Sequence, residues 1–506
     1  MQDTGTTRDR RKAGWQIFAL AAGILVSLSL LISAVEPLWI LLIFLGFGLT
    51  LVGVLKFPSA MLVPVIFIPQ WKTLSLLEGL QRRMDLTLVA LIVLSLVLLI
   101  QLTRGFREGW SVQRLFAGEK LGVAVFFLFA LIVAASYLYT PAPNWGFTQM
   151  TRLWGIGGVL FLSPFILIKK EEDFRQFAIT FLCFAIVRGI DTILFPEYAK
   201  EETMQDTVKT DIGAAWLIGM AILIVLYYEL FEAKRVQWFM KLICLPLLAA
   251  GLIAATARGP IFALVLVLLT APLVSPQKLF RPGAALRWLG LLIIIVIGSW
   301  VSFSSLWWAQ TRFQQKTREI VEILQGSAPS SGSAVERLDF YKAALTEIAE
   351  RPIWGLGVGG WAVYYNGKDE RAYPHNLLLL VAVEQGMLGE SVLVTFLIVV
   401  SLAIKRIVKA SGEHFIVLFA LFAFSVTVSM FSGDLDTNRL LWFWCGMSFA
   451  LSRFLKLSPT GSYTSSKEFA AVCTGLRPPH VPHRPTCHAA PWCYARIAIE
   501  VWNHGE

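Results

Sequence analysis

Apolar runs close to the length of a bilayer crossing recur through this chain, and they restrict what it can fold into. A helix needs about 20 mostly apolar residues to cross the hydrocarbon. Such runs are Ile17–Val35, Leu38–Leu55, Asp85–Leu102, Leu121–Tyr139, Trp154–Ile168, Phe174–Ile190, Ile212–Leu230, Val236–Thr256, Pro260–Val274, Leu289–Leu306, Leu388–Ile404, Phe415–Phe431 and Leu440–Phe454. A shorter run, Ser59–Pro69, is either a thin span or a re-entrant piece. The expected fold is an all-α integral membrane protein with about 12–14 transmembrane helices. One large helical loop separates the late spans. The first run is not a cleaved leader, because further spans follow it at once.

Composition agrees. The chain is 56% hydrophobic and 15% charged, against about 45–50% and 25% in ordinary soluble domains. This excludes a soluble enzyme, and a disordered chain would need low hydrophobicity. The net charge of +10 would point to nucleic acid in a soluble protein. In a membrane protein it reflects Lys and Arg in cytoplasmic loops, so no nucleic-acid partner is expected. With a cytoplasmic N-terminus and Ser59–Pro69 counted as a crossing, the inner loops carry more than twice the Lys and Arg of the short outer ones. Both termini then lie inside. The organisation expected is a cytoplasmic N-terminus over 1–16, a transmembrane region over 17–306, a large outer loop over 307–375, and C-terminal spans over 376–457. A tail over 458–506 follows, with the composition of a disordered segment.

The outer loop has its own helical signals. Trp307 and Trp308 mark its start, as aromatic residues do at a membrane interface. Thr311–Leu324 is a plausible helix, and Gly326–Gly332 is a Ser/Gly/Pro-rich link. Ser333-x-x-Glu336 reads as a capping box. Behind it Val335, Leu338, Tyr341, Leu345 and Ile348 recur at helical spacing, and Pro352 ends the helix.

Few residues in this body can do chemistry. His375, in Tyr373-Pro374-His375-Asn376, lies where the outer loop returns to the membrane. It is a candidate base, or an interfacial His bonded to a carbonyl. Arg258 sits in a tight Thr256-Ala257-Arg258-Gly259-Pro260 corner. It either snorkels or presents a guanidinium suited to phosphate. Arg188 is close to Asp191, with which it can simply pair, and Arg337 stands on the capped helix beside Asp339. Gly355-x-Gly357-x-Gly359-Gly360 is either a phosphate-cradling loop or a flexible turn, without the preceding strand of a dinucleotide fold. Asp434-Leu435-Asp436 reads as loop polarity, paired with Arg439. The tail's His480, His483, Cys487, His488 and Cys493 fit no standard zinc spacing. Arg258, Arg337, the glycine run and His375 fall on one expected face, which fits work on an anionic substrate.

Three segments resemble the bacterial O-antigen ligase and polymerase family. They are Thr256-Ala257-Arg258-Gly259; Glu336-Arg337-Leu338-Asp339-Phe340-Tyr341-Lys342-Ala343-Ala344 with Pro352-Ile353-Trp354-Gly355-Leu356-Gly357-Val358-Gly359; and His375-Asn376-Leu377 with Glu384-Gln385-Gly386-Met387-Leu388-Gly389. The resemblance covers roughly residues 10–456 and is most specific between 250 and 390. It implies an inverting transfer of a glycan from an undecaprenyl-pyrophosphate carrier to an acceptor hydroxyl, at the periplasmic face of the inner membrane. It implies no metal and no cofactor. The partners it implies are the lipid-linked glycan donor, a lipid or saccharide acceptor and membrane lipids. By this resemblance Arg258, Arg337 and His375 are catalytic, the two arginines stabilising the departing pyrophosphate and His375 acting as general base. Arg188, Gly355, Gly357, Gly359 and Asn376 bind substrate. A ligase of the lipid A–core type is the first reading and a polymerase of the same family the second. A multi-span transporter is the rival from another class, and it fits poorly with spans almost free of central Asp or Glu.

Overall fold

The computed structural model describes residues 57–67, 86–111, 115–116, 119–194, 204–255, 257–274, 333–411 and 415–457. Over these residues the chain is helical, without a strand. The helices are α1 (Leu62–Ile66), α2 (Leu86–Arg107), α3 (Lys120–Ser136), α4 (Pro143–Arg152), α5 (Gly158–Leu167), α6 (Glu171–Leu194) and α7 (Met204–Tyr227). Then come α8 (Lys234–Ala254), α9 (Arg258–Val274), α10 (Ser333–Glu350), α11 (Gly360–Asn366), α12 (Leu377–Ser411), α13 (Ile416–Ser429) and α14 (Arg439–Leu457). The runs Ile17–Val35, Leu38–Leu55 and Leu289–Leu306, the helix expected at Thr311–Leu324, the link after it and the tail lie outside the described residues.

Among the described residues, five helices are long and apolar enough to cross a membrane: Lys120–Tyr139, Pro143–Leu167, Glu171–Leu194, Lys234–Ala254 and Leu377–Ala410. Shorter apolar helices occupy Ile212–Tyr227, Gly259–Ala271 and Ile416–Ser429. The protein is therefore an all-α integral membrane protein. Pro143–Leu167 stays helical through a wide π-type turn at Leu153–Gly157, an insertion that helices tolerate without breaking.

Lipid is as apolar as a leucine side chain, so membrane helices associate through close packing and small residues. That is how this bundle is built. A Cβ on Gly446 of α14 would sit 2.0 Å from the Phe161 carbonyl oxygen of α5, and one on Gly251 of α8 would sit 2.8 Å from the Gly189 Cα of α6. Aromatic rings fill the rest. Phe126 stacks on Phe161 at 4.0 Å, and Phe161 meets Phe165, Phe396 and Phe449 edge-on.

Two expectations change. Ser59–Pro69 was needed as a crossing, but its described part is one 3-10 turn and the five residues of α1, with Leu62, Val63, Val65 and Ile66 all buried. Nine helical residues reach roughly 14 Å, under half the hydrocarbon thickness, so this piece is a buried wedge. The return to the membrane was expected at His375, with a long span only over Leu388–Ile404. Helix α12 instead begins at Leu377 and bends at Gly386 (φ 66°, ψ −174°), where the Ile353 carbonyl lies against the glycine. Its 35 residues would exceed the roughly 30 Å core if straight.

The helices give the bundle two ends. At one, Glu119 receives Ser452 (2.6 Å) and Arg406 (3.2 Å), and Lys169 donates to Gln101 (3.2 Å). Arg453 donates to the carbonyls of Leu115, Phe165 and Ile168. The starts of α9, α12 and α14 and the end of α3 lie at the other, where the candidate site is built.

Candidate active site

His375 is built into an unusual backbone. It has φ 57°, and among the described residues it is the one non-glycine residue with positive φ. A non-glycine side chain in this region costs of order 1 kcal/mol or more and persists only where its surroundings impose it. The residue after it, Asn376, is fixed at the start of α12. The Asn376 side-chain oxygen accepts from the Leu379 N–H (3.2 Å) and its carbonyl from Leu380 (2.9 Å), so Asn376 caps α12. The substrate-binding role expected of Asn376 thus meets a side chain already bonded to backbone.

The imidazole lies against Phe340 (centroids 5.8 Å apart, 19° between planes) and Tyr373 (4.6 Å). Phe340 belongs to α10, three residues after Arg337, so the two share a face of that helix. Burial first, and then the guanidinium of Arg337, push the His375 imidazolium down to about 4. Asp434 works in the opposite direction and Arg371 in the same one. At neutral pH the ring is uncharged and able to accept a proton. Arg337 itself is half-exposed and makes no ion pair among the described residues.

Five charged residues that the sequence did not single out as a site complete the surroundings. Arg371 donates from Nε to Asp434 (2.9 Å), and its guanidinium lies over Trp145 (5.7 Å) and Tyr373 (5.6 Å). Tyr373 bonds to Ser432. Asp436 takes Arg152 (2.8 Å) and Arg439 (3.7 Å). Asp434 and Asp436 are buried, so Asp434-Leu435-Asp436 is not solvated loop polarity. The Asp436–Arg439 pair is present, but as one arm of a buried network. Partners 63 and 284 residues apart leave no local signal.

Arg258 opens α9 beside this network. A Cβ on Gly259 would meet Phe431 at 3.2 Å, and Phe262 packs edge-on to Phe431 at 5.3 Å. Phe431 is three residues from Asp434, so the Arg258 backbone stands at the same end of the bundle as His375. Arg188 is buried in α6 and ion-paired with Asp191, the bland alternative weighed for it.

The glycine run differs most from expectation. Gly355, Gly357 and Gly359 all have positive φ, and a Cβ on them would meet backbone of Val383, Ser136 and Gly146. The N–H groups that a phosphate cradle needs are occupied. Leu356 donates to the Val383 carbonyl (2.8 Å), Gly357 to the Glu384 carbonyl (2.8 Å) and Val358 to Ser136 Oγ (3.1 Å). The substrate-cradling role expected of these glycines gives way to packing: they let the segment after α10 lie directly on α12 and α3. No group of three His, Cys, Asp or Glu residues arranged for a metal ion occurs among the described residues.

The search of curated proteins gave no match to this chain. A family model described as O-Antigen ligase matches residues 242–394. That segment contains Arg258, Arg337, the glycine run, His375, Asn376 and Glu384; Trp145, Gln149, Arg152, Asp434 and Asp436 lie outside it. Residues 242–394 of this all-α membrane protein are thus similar to the O-antigen ligase family.

Proposed function

We propose that this protein transfers a glycan from undecaprenyl pyrophosphate to an acceptor hydroxyl of the lipid A–core type, at the periplasmic face of the inner membrane. Supporting the reading is one juxtaposition: an uncharged histidine held in a strained backbone, with Arg337, a cation without an ion pair among the described residues, on the helix stacked against it. Pyrophosphate is a competent leaving group, so the protein needs a base for the acceptor and positive charge for the donor.

His375 takes the proton of the acceptor hydroxyl as its oxygen attacks the anomeric carbon from the face opposite the leaving group. The bond from that carbon to the pyrophosphate oxygen breaks, and undecaprenyl pyrophosphate departs with inversion. Arg337 and Arg258 stabilise the charge that grows on the departing oxygens, and no metal takes part. Supporting an outward-facing site is the charge at the two ends: the loops rich in Lys and Arg gather at the end opposite His375, as cytoplasmic loops do. Membrane vesicles supplied with a defined lipid-linked glycan and lipid A–core test the reading. Transfer by the wild type and its loss in His375→Ala are expected; full transfer by the variant removes the base assignment. In a deletion strain a ligase leaves long chains on the lipid carrier, whereas a polymerase leaves single repeats on the acceptor.

A further inference from the structure

Glu384 is fully buried inside α12, two residues before the bend at Gly386, and touches none of the groups assigned to the reaction. Its surroundings run to His375 along two routes. On the first, the N–H groups of Gly359 and Trp361 point to its carboxyl. Trp361 is buried, stacks on Tyr365 at 5.2 Å and meets Phe340 edge-on at 6.2 Å. Phe340 is the ring on which His375 lies. On the second, the buried Gln149 donates its amide N–H to Glu384 Oε2 (3.3 Å), while its oxygen accepts from the Trp145 indole N–H (3.0 Å). Over Trp145 lies Arg371, which also covers Tyr373, the other ring against His375.

A carboxyl is well suited to such a junction. Its two oxygens accept several hydrogen bonds at once, and in a water-poor interior each bond is stiff and costly to lose. The main chain at Glu384 is fixed as well, because its carbonyl accepts from Gly357 and that of Val383 from Leu356. The geometry points to Glu384 as a positioning residue for His375, joining the Phe340 and Tyr373 walls of its cradle through Trp361 on one side and through Gln149, Trp145 and Arg371 on the other. This rests on His375 being the base, but the positioning can be read without turnover.

The test uses the full chain in lipid nanodiscs. In Glu384→Gln the amide nitrogen opposes donors that the carboxyl accepted. Its kcat for glycan transfer falls about tenfold or more, the equivalent of one positioned hydrogen bond, with KM for the lipid-linked donor unchanged and a fall in Tm that the exchange below also returns. The paired exchange Glu384→Gln with Gln149→Glu restores an amide–carboxylate pair in the opposite sense, and it recovers most of the lost kcat. Independently of turnover, the rate at which diethyl pyrocarbonate modifies His375, followed by mass spectrometry, rises several-fold in Glu384→Gln and returns in the exchange. Wild-type kcat and wild-type modification in Glu384→Gln overturn the proposal. So does a kcat that falls only together with Tm and is not recovered by the exchange, because that is packing alone. If His375→Ala keeps full transfer while the modification rates behave as described, the base assignment fails and the positioning stands.

Discussion

The two ends of the bundle use charge differently. At the end gathering the Lys- and Arg-rich loops, cations meet backbone carbonyls or one buried carboxylate: Arg453 reaches three carbonyls, and Glu119 takes Arg406 and Ser452. These contacts close helix ends, where carbonyls have no partner within the helix. At the other end two buried aspartates hold Arg371, Arg152 and Arg439, while Arg337 stays unpaired among the described residues beside an uncharged His375. The first arrangement satisfies polar groups and leaves nothing to react. The second leaves His375 Nδ1 without a hydrogen-bond partner and Arg337 without an ion pair among the described residues, which under the proposed function is the preorganisation that transition-state stabilisation requires.

Substitutions at the two ends should therefore differ in kind. His375→Ala should lower transfer by about 10²–10⁴-fold, the usual range for a general base, with thermal stability near wild type; the readout is glycan moved to acceptor per unit of folded protein. Asp434→Ala leaves Arg371 without its carboxylate, which typically costs about 3–5 kcal/mol for a buried pair, and Tm should drop clearly. Arg406→Ala at the opposite end removes the half-exposed partner of Glu119, and the loss should stay below about 1 kcal/mol. Equal losses of Tm in these two variants would erase the contrast between the ends.

Smaller effects sharpen it. Gly386→Ala sets a Cβ 2.1 Å from the Ile353 carbonyl at a positive φ, so folded yield should fall, by about 1–3 kcal/mol if the backbone strain alone counts. Arg337→Gln tests electrostatics through pH. Arg337 disfavours the imidazolium, so removing it lets the His375 pKa rise from about 4 towards its ordinary value. The acidic limb of kcat should move to higher pH, and a limb that stays in place or moves down contradicts the pairing of Arg337 with His375.

Hydropathy located α3, α6, α8, α9, α13 and α14 to within a few residues, because a bilayer demands long apolar helices and the demand is written locally. It singled out His375, Arg258 and Arg337 as candidates for a related reason, since ionisable residues are rare in such a chain. It missed Arg371, which stands in the polar stretch Lys368-Asp369-Glu370-Arg371 and gains meaning only from Asp434. It left Gly355, Gly357 and Gly359 open as a cradle or a turn, because a glycine needed for close backbone packing looks the same as one needed for a phosphate.

What the sequence determined by itself was a helical membrane body with a polar helical insert, because helix length and apolar content are properties of consecutive residues. Which end each loop joins, which aspartate meets which arginine, and how Glu384 connects to His375 were decided only by tertiary structure. Those contacts form between residues tens to hundreds of positions apart, and burial rather than order along the chain sets their strength.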